Sequence, residues 1–239
     1  GRGHGAHTEI TRLVADQGWS HLIYNHISAR VPDEHDHFLI NPYGPLYEEI
    51  TASSLLKVDL EGKIVDESEY GINEAGFVIH SAVHAARPDV QCVIHTHTRA
   101  GVAVSAMKCG LLPISQHAMR VQRQCTYHDY EGIALDMDER SRMAGDLGKT
   151  SKAMILRNHG LLSLGETVRE AFELMYYLDC ACQIQIDAMA GGLANVIEMS
   201  AGAAATATEQ FERDDRPSAH KDWPALLRLL ERRGIDHVA

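Results

Sequence analysis

Residues 92–97 read CVIHTH, an apolar run that ends in two histidines, His95 and His97. A short apolar run of this kind predicts a buried β-strand. Side chains on a strand alternate between its two faces, so histidines two positions apart point the same way. Two imidazoles on one face can bind one metal ion. Taken alone, however, the pair is as typical of an ordinary strand end as of a metal site.

A second apolar run with a polar end lies downstream, at residues 153–160, AMILRNHG. His159 stands just before Gly160, where the chain is expected to turn. If the two apolar strands are neighbours in one sheet, the three imidazoles converge. Three neutral imidazoles that leave a fourth coordination position open are typical of a catalytic metal site. We therefore predict that His95, His97 and His159 are metal ligands.

The composition excludes several classes of protein. With 45% hydrophobic and 23% charged residues, the chain is globular rather than disordered. A formal net charge of −11 argues against a nucleic-acid partner, and no apolar run approaches the ~18 residues of a membrane span. The five cysteines form no C-x-x-C motif, which indicates free thiols and predicts a cytoplasmic location.

Hydrophobic periodicity and turn residues divide the chain into mixed helices and strands, which predicts an α/β protein. Asn73 is a candidate N-cap, and Asp136 and Glu139 have the spacing of a capping box. No linker interrupts residues 1–200, so we expect one domain there and a C-terminal extension with an amphipathic helix at residues 201–239. Helices are predicted at residues 8–17, 75–87, 100–108, 136–147, 167–190 and 223–232. Strands are predicted at 22–28, 38–40, 90–97, 153–160 and 161–164, a β-hairpin at 57–65, and a loop at 127–130.

Three motifs, taken together and in this order, resemble the class II aldolase/adducin family. They are Glu74 before a helix that ends in RPD (residues 87–89), the VIHTHT run (residues 93–98), and LRNHG (residues 156–160). The resemblance covers residues 9–191. It implies a three-layer α/β/α fold around a central, mainly antiparallel sheet. It also implies one divalent metal ion on the three histidines, with zinc as the expected metal and Fe(II), Mn or Co as alternatives, and a homotetramer.

The resemblance also suggests which residues move protons. Glu74 matches by position the family's catalytic acidic residue, which acts as a general acid/base or a transient metal ligand. Without the histidines, a glutamate in the first turn of a helix would be explained by the helix dipole alone. Aldolases of this family also use a tyrosine as proton donor, so Tyr127 and Tyr130 are candidates.

Departures from the family pattern bear on the substrate. His26 stands where the sugar-phosphate aldolases of the family carry an asparagine, and Ile72 and Asn73 stand where they carry a serine pair. A phosphate dianion needs several hydrogen-bond donors, and most of them are missing here. We therefore predict a non-phosphorylated substrate in a more apolar pocket. The predicted substrate-binding residues are His26, Ser28, Tyr43, Gly44, Ile72, Asn73 and His117.

Three functions are consistent with these residues. The first is a metal-dependent lyase that acts on a small 2-oxo or 2-hydroxy carbonyl compound by retro-aldol cleavage, decarboxylation or epimerisation, with Glu74 moving the proton. The second is a non-haem Fe(II) oxygenase that oxidatively decarboxylates an aryl 2-oxo acid, similar to a branch of the family in aminocoumarin biosynthesis. The third is a non-catalytic, adducin-like module, against which the three histidines argue because adducin-type domains lose the metal ligands. A small-molecule partner is expected, and no nucleic acid or membrane.

Overall fold

The computed structural model describes residues 2–213 and 221–236. The strands are β1 (His26–Val31), β2 (Glu34–Ile40), β3 (Leu56–Asp59), β4 (Cys92–Thr96), β5 (Cys125–His128), β6 (Ala153–Leu156) and β7 (Gly160–Gly165). The helices are α1 (Arg2–Asp16), α2 (Glu74–Ala86), α3 (Arg99–Ser105), α4 (Gln116–Met119), α5 (Glu139–Leu147), α6 (Val168–Met189), α7 (Ala201–Glu212) and α8 (Asp222–Arg232).

One seven-stranded sheet organises the chain, in the order β3-β2-β1-β4-β7-β6-β5. All neighbouring pairs are antiparallel except β5 and β6. The sheet is therefore mainly antiparallel, as predicted. In the centre, β4 pairs with β1 on one side and with β7 on the other, so that His26 of β1 lies opposite His95 of β4.

Helices cover both faces of the sheet, which confirms the three-layer α/β/α fold. On one face, buried side chains of α1, α3 and α6 pack with Ile94 of β4. On the other face, α2 and α5 pack with Val93 of the same strand. Burying one such aliphatic side chain stabilises the fold by ~1.5–3 kcal/mol. A third, smaller cluster packs Phe77 of α2 against the β2–β3 edge.

The two C-terminal helices pack on the same core as α1 and α6. Leu230 of α8 is fully buried in that core, and Phe211 of α7 packs against it. The ring of Trp223 meets the ring of Phe172 edge to face, with centroids 6.0 Å apart. The described part of the expected extension thus covers the α6 side of the sheet. None of the described helices is both long and apolar enough to cross a membrane.

Two of the differences between the predicted and the observed strands concern where a strand begins and a strand that was not predicted. β1 begins at His26 rather than at residue 22, because residues 18–25 form a turn in which Gly18 (φ 70°) and Leu22 (φ 51°) adopt left-handed backbone conformations. Part of the predicted loop 127–130 belongs to β5, which pairs in parallel with β6. That pairing joins segments that are distant in the chain, so no local pattern in the sequence predicts it.

The predicted capping box of α5 does not form. Asp136 accepts a hydrogen bond from the backbone of Asp138, and α5 begins at Glu139 without a side-chain cap. Glu139 is instead buried, with its carboxylate 3.4 Å from His128. By contrast, Asn73 caps α2 as predicted, because its side-chain oxygen accepts a hydrogen bond from Gly76 N.

Candidate metal centre

The three predicted ligands meet at one point. The Nε2 atoms of His95 and His97 are 2.8 Å apart, those of His95 and His159 are 3.2 Å apart, and those of His97 and His159 are 3.0 Å apart. Within the described part of the chain, these residues form the single group of His, Cys, Asp and Glu side chains close enough to hold a metal ion. Three ring nitrogens therefore converge although His159 is 62 positions from His97.

The route to this convergence differs from the one predicted. His159 lies in the turn between β6 and β7, and β4 pairs with β7 rather than with β6. Asn158 has a left-handed backbone (φ 55°). A Cβ at Gly160 would lie 2.5 Å from the carbonyl oxygen of Thr96, so this position requires glycine. The tight turn brings His159 over the end of β4.

The donor set fits a divalent cation. Nitrogens ~2.0–2.1 Å from a common zinc ion stand about 3 Å apart, which is the spacing found here. Burial first, and then the neighbouring imidazoles, lower the pKa of His95 well below its ordinary value and the pKa of His97 to about 4. Burial also lowers the pKa of His159. The rings are therefore neutral near pH 7, which is the form that binds metal.

Contacts around the triad orient two of its rings. His95 Nδ1 lies 3.0 Å from the carbonyl oxygen of Leu161, so it carries the proton and donates. His97 Nδ1 lies 3.1 Å from His21 Nδ1. The backbone N–H of His97 donates to Asn25 Oδ1 at 3.2 Å. Sequence analysis did not identify His21 or Asn25, because their contacts depend on the shape of the turn before β1.

Asp179 of helix α6, a buried carboxylate, contacts two of the segments next to His97. Asp179 accepts hydrogen bonds from Trp19 Nε1 at 3.0 Å and from Thr98 Oγ1 at 2.5 Å. Trp19 lies in the segment that carries His21, and Thr98 follows His97 directly. Asp179 therefore holds the two segments around His97 against the same helix.

The two predicted tyrosines lie in different places. The half-exposed ring of Tyr130 lies 6.5 Å from the ring of His159, so Tyr130 belongs to the site. The hydroxyl of Tyr127 accepts a hydrogen bond from Leu111 N, and its ring lies under the guanidinium of Arg157. Within one chain Tyr127 thus packs against the core on the α6 face, and its role as a proton donor stays a prediction.

Glu74 is the first residue of α2 and is exposed. Within the described residues it forms no hydrogen bond or ion pair, so its carboxylate is open to a ligand. The helix approaches the triad through Gly76, where a Cβ would lie 2.6 Å from the His26 ring. The ring of His26 in turn stacks on that of His95, with centroids 6.2 Å apart. The start of α2 therefore lies on the His95 side of the site.

His26 and Ser28 are interior residues. Neither ring nitrogen of the buried His26 has a hydrogen-bond partner in the described residues, and burial lowers its pKa to about 3. The Ser28 hydroxyl lies 2.6 Å from His80 Nδ1 and 2.8 Å from His84 Nε2. Ser28 is fully buried by these contacts, so the structure contradicts its prediction as a substrate ligand.

Tyr43 and Gly44 lie on the open side of the triad. The exposed ring of Tyr43 is 6.3 Å from that of Tyr24, which is 5.8 Å from the ring of His21. Together with His97, these rings form a continuous aromatic row that leads to the metal ligands. Gly44, next in the chain, is exposed with φ 128°. Tyr24 is a further residue that the sequence did not single out.

The remaining predicted substrate residues have structural contacts. Ile72 packs against the small cluster of β2 and β3, and the Asn73 side chain is occupied by the cap of α2. Tyr43 N donates to Gly71 O, which keeps residues 71–73 next to the aromatic row. His117 packs against Tyr177 of α6, and within the described residues no contact joins it to the triad. Its role in binding a substrate stays a prediction.

Comparisons with known proteins agree with this architecture. Residues 6–186 match the family described as Class II Aldolase and Adducin N-terminal domain. An aldolase II superfamily protein from Pseudomonas syringae is 49% identical, with a TM-score of 0.94 over 100% of this chain and 95% of that one. An L-fuculose 1-phosphate aldolase from Glaciozyma antarctica is 27% identical, with a TM-score of 0.81 over 96% of this chain and 90% of that one.

A relative of another kind is also similar. Alpha-adducin of Rattus norvegicus is 48% identical over 93% of this chain. The match spans 32% of the length of that adducin. The profile match, these identities and the shared fold lead to one conclusion: the chain belongs to the class II aldolase and adducin family.

Proposed function

We propose that the protein is a metal-dependent lyase that acts on a small, non-phosphorylated 2-oxo or 2-hydroxy carbonyl compound. The observation that carries the proposal is the convergence of three neutral Nε2 atoms within 3.2 Å of one another. Three imidazoles leave coordination positions open, as catalytic metal sites do. The similarity to an L-fuculose 1-phosphate aldolase supports the lyase class.

His95, His97 and His159 would hold the ion, which when bound supplies a Lewis acid that polarises a carbonyl group. We assign the movement of the proton to Glu74, whose exposed carboxylate stands at the start of α2. This helix contacts the ring of His26 at Gly76, and the ring of His26 stacks on that of His95. Tyr130, beside His159, is the candidate donor for the leaving group. Retro-aldol cleavage and epimerisation need a base that removes a proton and an acid that returns one, whereas decarboxylation needs only an acid that protonates the carbon from which CO2 has left.

The proposal that the substrate carries no phosphate rests on the contacts of Asn73, Ile72 and Ser28. The side-chain oxygen of Asn73 is used by the helix cap, Ile72 is apolar, and Ser28 is enclosed by two imidazoles. Among these positions only the side-chain N–H group of Asn73 is left to donate, and a dianion with so few donors would cost several kcal/mol to bury. The row of His21, Tyr24 and Tyr43 instead offers aromatic surface to an apolar substituent.

A direct test combines metal analysis with turnover. We expect one divalent ion per chain and metal-dependent conversion of 2-oxo or 2-hydroxy acids, with dihydroxyacetone phosphate and sugar 1-phosphates as poor ligands. The identity of the ion, zinc, Fe(II), Mn or Co, comes from elemental analysis of protein purified under nitrogen. Saturable cleavage of a sugar 1-phosphate would contradict the proposed substrate class.

A non-catalytic, adducin-like module is the second candidate, and the 48% identity to alpha-adducin favours it. The two candidates differ in one measurable property. A lyase binds its ion tightly and loses turnover when the ion is removed, whereas a binding module keeps its partner affinity when the histidines are replaced.

We also propose that the chain assembles as a homotetramer. Large apolar side chains are exposed on both sides of the triad, Leu22, Tyr24 and Tyr43 near His97, and Ile133 and Leu135 in the segment after Tyr130. Exposed apolar patches of this kind mark interaction surfaces. Light scattering at several protein concentrations measures the mass, and a monomer at all concentrations would contradict the assembly.

A further inference from the structure

We infer that His21 is a positioning residue for the metal ligand His97, an inference that rests on the metal centre proposed above. His21 Nδ1 lies 3.1 Å from His97 Nδ1, and the two rings meet edge to face with centroids 5.3 Å apart. The opposite nitrogen of the His97 ring, Nε2, faces the other two ligands. His21 thus contacts Nδ1 of His97. If Nδ1 carries the ring proton, Nε2 is free to bind a cation.

The proton count makes this contact specific. An imidazole binds a cation through the lone pair of an unprotonated nitrogen, so a metal on Nε2 of His97 requires the ring proton on Nδ1. That N–H needs an acceptor, and within the described residues the acceptor is His21 Nδ1. His21 then carries its own proton on Nε2. One hydrogen bond therefore fixes the tautomers of both rings.

A comparison with His95 shows why a side chain is needed here. His95 belongs to β4, and its Nδ1 donates to the carbonyl oxygen of Leu161 on the paired strand β7. His97 lies beyond the last residue of β4, Thr96, where the ladder has ended. The sheet supplies no backbone acceptor at that point, and the turn before β1 supplies His21 instead.

The segment that carries His21 is anchored on both sides. Asn25 is buried, accepts from His97 N at 3.2 Å, and donates from its amide to Trp19 O. Trp19 donates from its indole to Asp179 of α6. Between these anchors, Leu22 has a left-handed backbone (φ 51°) and an exposed side chain. The segment therefore has a defined shape although His21 and Leu22 face outward.

The ring of Tyr24 completes the arrangement. It lies 5.8 Å from the His21 ring, with an angle of 52° between the two ring planes. Groups that orient metal-binding histidines in this way are worth about 10–100-fold in metal affinity. His21 acts through His97, so it is a positioning residue and no ligand itself.

Competition between the protein and a chromophoric chelator for Co²⁺ and Zn²⁺ tests the inference. We expect His21→Ala to weaken the affinity about 10–100-fold. In His21→Asn, the side-chain oxygen can still accept from His97 Nδ1, so the affinity should stay within a few-fold of the parent protein. Leu22→Ala, which removes the neighbouring exposed side chain, is the matched control and should leave the affinity unchanged.

A second measurement detects the hydrogen bond between His21 and His97 in the absence of metal. Long-range ¹H–¹⁵N spectra of the apo protein report the tautomer of each imidazole, and the parent protein and His21→Asn should both show His97 protonated on Nδ1. In His21→Ala this preference should disappear while the apo thermal midpoint stays unchanged. A merely structural role for His21 would move the midpoint and leave the tautomer as it is.

The outcomes separate this inference from the proposed function. If the parent protein and His21→Ala bind Co²⁺ equally, or if His21→Asn loses as much affinity as His21→Ala, the positioning role is overturned and the metal centre stands. If the parent protein binds Co²⁺ no better than His95→Ala, the metal centre itself is overturned. The tautomer of His97 then decides whether the His21–His97 hydrogen bond exists.

Discussion

Two groups of histidines lie side by side on the α2 face of the sheet and behave differently. In the outer group, His95, His97 and His159 direct three Nε2 atoms to one point. In the inner group, His80 and His84 direct their rings to the two sides of the Ser28 hydroxyl. His26 lies between the groups, with its ring 6.2 Å from that of His95 and 6.0 Å from that of His80. The comparison shows that the direction of the rings, not the number of histidines, distinguishes a candidate metal centre from a buried polar group.

The largest expected effect is on metal content. His95→Ala or His159→Ala should reduce the bound divalent ion from one per chain to none, because two imidazoles rarely hold such an ion without a third ligand. His84→Gln, in the inner group, is the matched control and should keep its ion. Elemental analysis after gel filtration measures both. Equal loss from His84→Gln would abolish the distinction between the two groups.

Removal of Glu74 tests whether the outer group carries out chemistry. Glu74→Gln should lower turnover by ~10²–10⁴, the usual worth of a positioned general base. Metal content should be unchanged, and stability should fall by only ~0.3–1 kcal/mol, because the residue is exposed at a helix start. Steady-state kinetics, metal analysis and thermal unfolding of this variant give the three values. Parent-level turnover with a full ion complement would restrict Glu74 to a helix-dipole role.

Removal of the Ser28 hydroxyl, which lies between the two rings of the inner group, should destabilise the fold. Ser28→Ala leaves His80 Nδ1 and His84 Nε2 without their partner in a fully buried place. An unsatisfied buried group costs ~1–3 kcal/mol, so the free energy of unfolding should fall by about that amount. The metal affinity should not change. Denaturant unfolding with the metal chelated gives the first value, and a metal titration gives the second. A weakened metal site would mean that the two groups are coupled.

The smallest expected effect is a change in pH dependence. Burial, and then the charge of Arg30, lower the pKa of His84 to about 3, from an ordinary value of 6.5. Between these values the unfolded chain binds the extra proton, so the free energy of unfolding falls as the pH falls, by about 1.4 kcal/mol per pH unit for this residue. His84→Gln should remove that part of the slope. Chemical denaturation of chelated protein between pH 6 and pH 4.5 measures the difference, and identical slopes would contradict the neutral, buried state of His84.

The sequence predicted the outer group because its three histidines stand at the ends of apolar strands. There the alternation of side chains along a strand indicates which residues share a face. His95 and His97 follow the strand period, and the turn at Gly160 returns His159 to the same edge. The mainly antiparallel α/β/α fold followed from the resemblance of the same motifs. Each of these features is local or is carried by a motif, and each could therefore be read without coordinates.

The errors concern residues whose partners are remote in sequence. Ser28 has a hydroxyl group that could contact a substrate. The alternation of side chains along β1, however, does not reveal that α2 covers that face of the sheet with His80 and His84. The loop predicted at Tyr127 was wrong because the strand of this residue forms only through parallel pairing with β6. His21 was missed because its position depends on a left-handed backbone at Leu22, a residue type that seldom adopts one.

Asp179 gives the metal centre a mechanical connection to the far side of the molecule. Its carboxylate joins α6 to Trp19 and Thr98, and α6 also packs against the core that contains Leu230 of α8. Any molecule that shifts α6 along its axis would therefore displace the segments on both sides of His97 and change the metal affinity. Thermodynamic reciprocity then requires that binding of the metal changes the affinity for that molecule by the same factor.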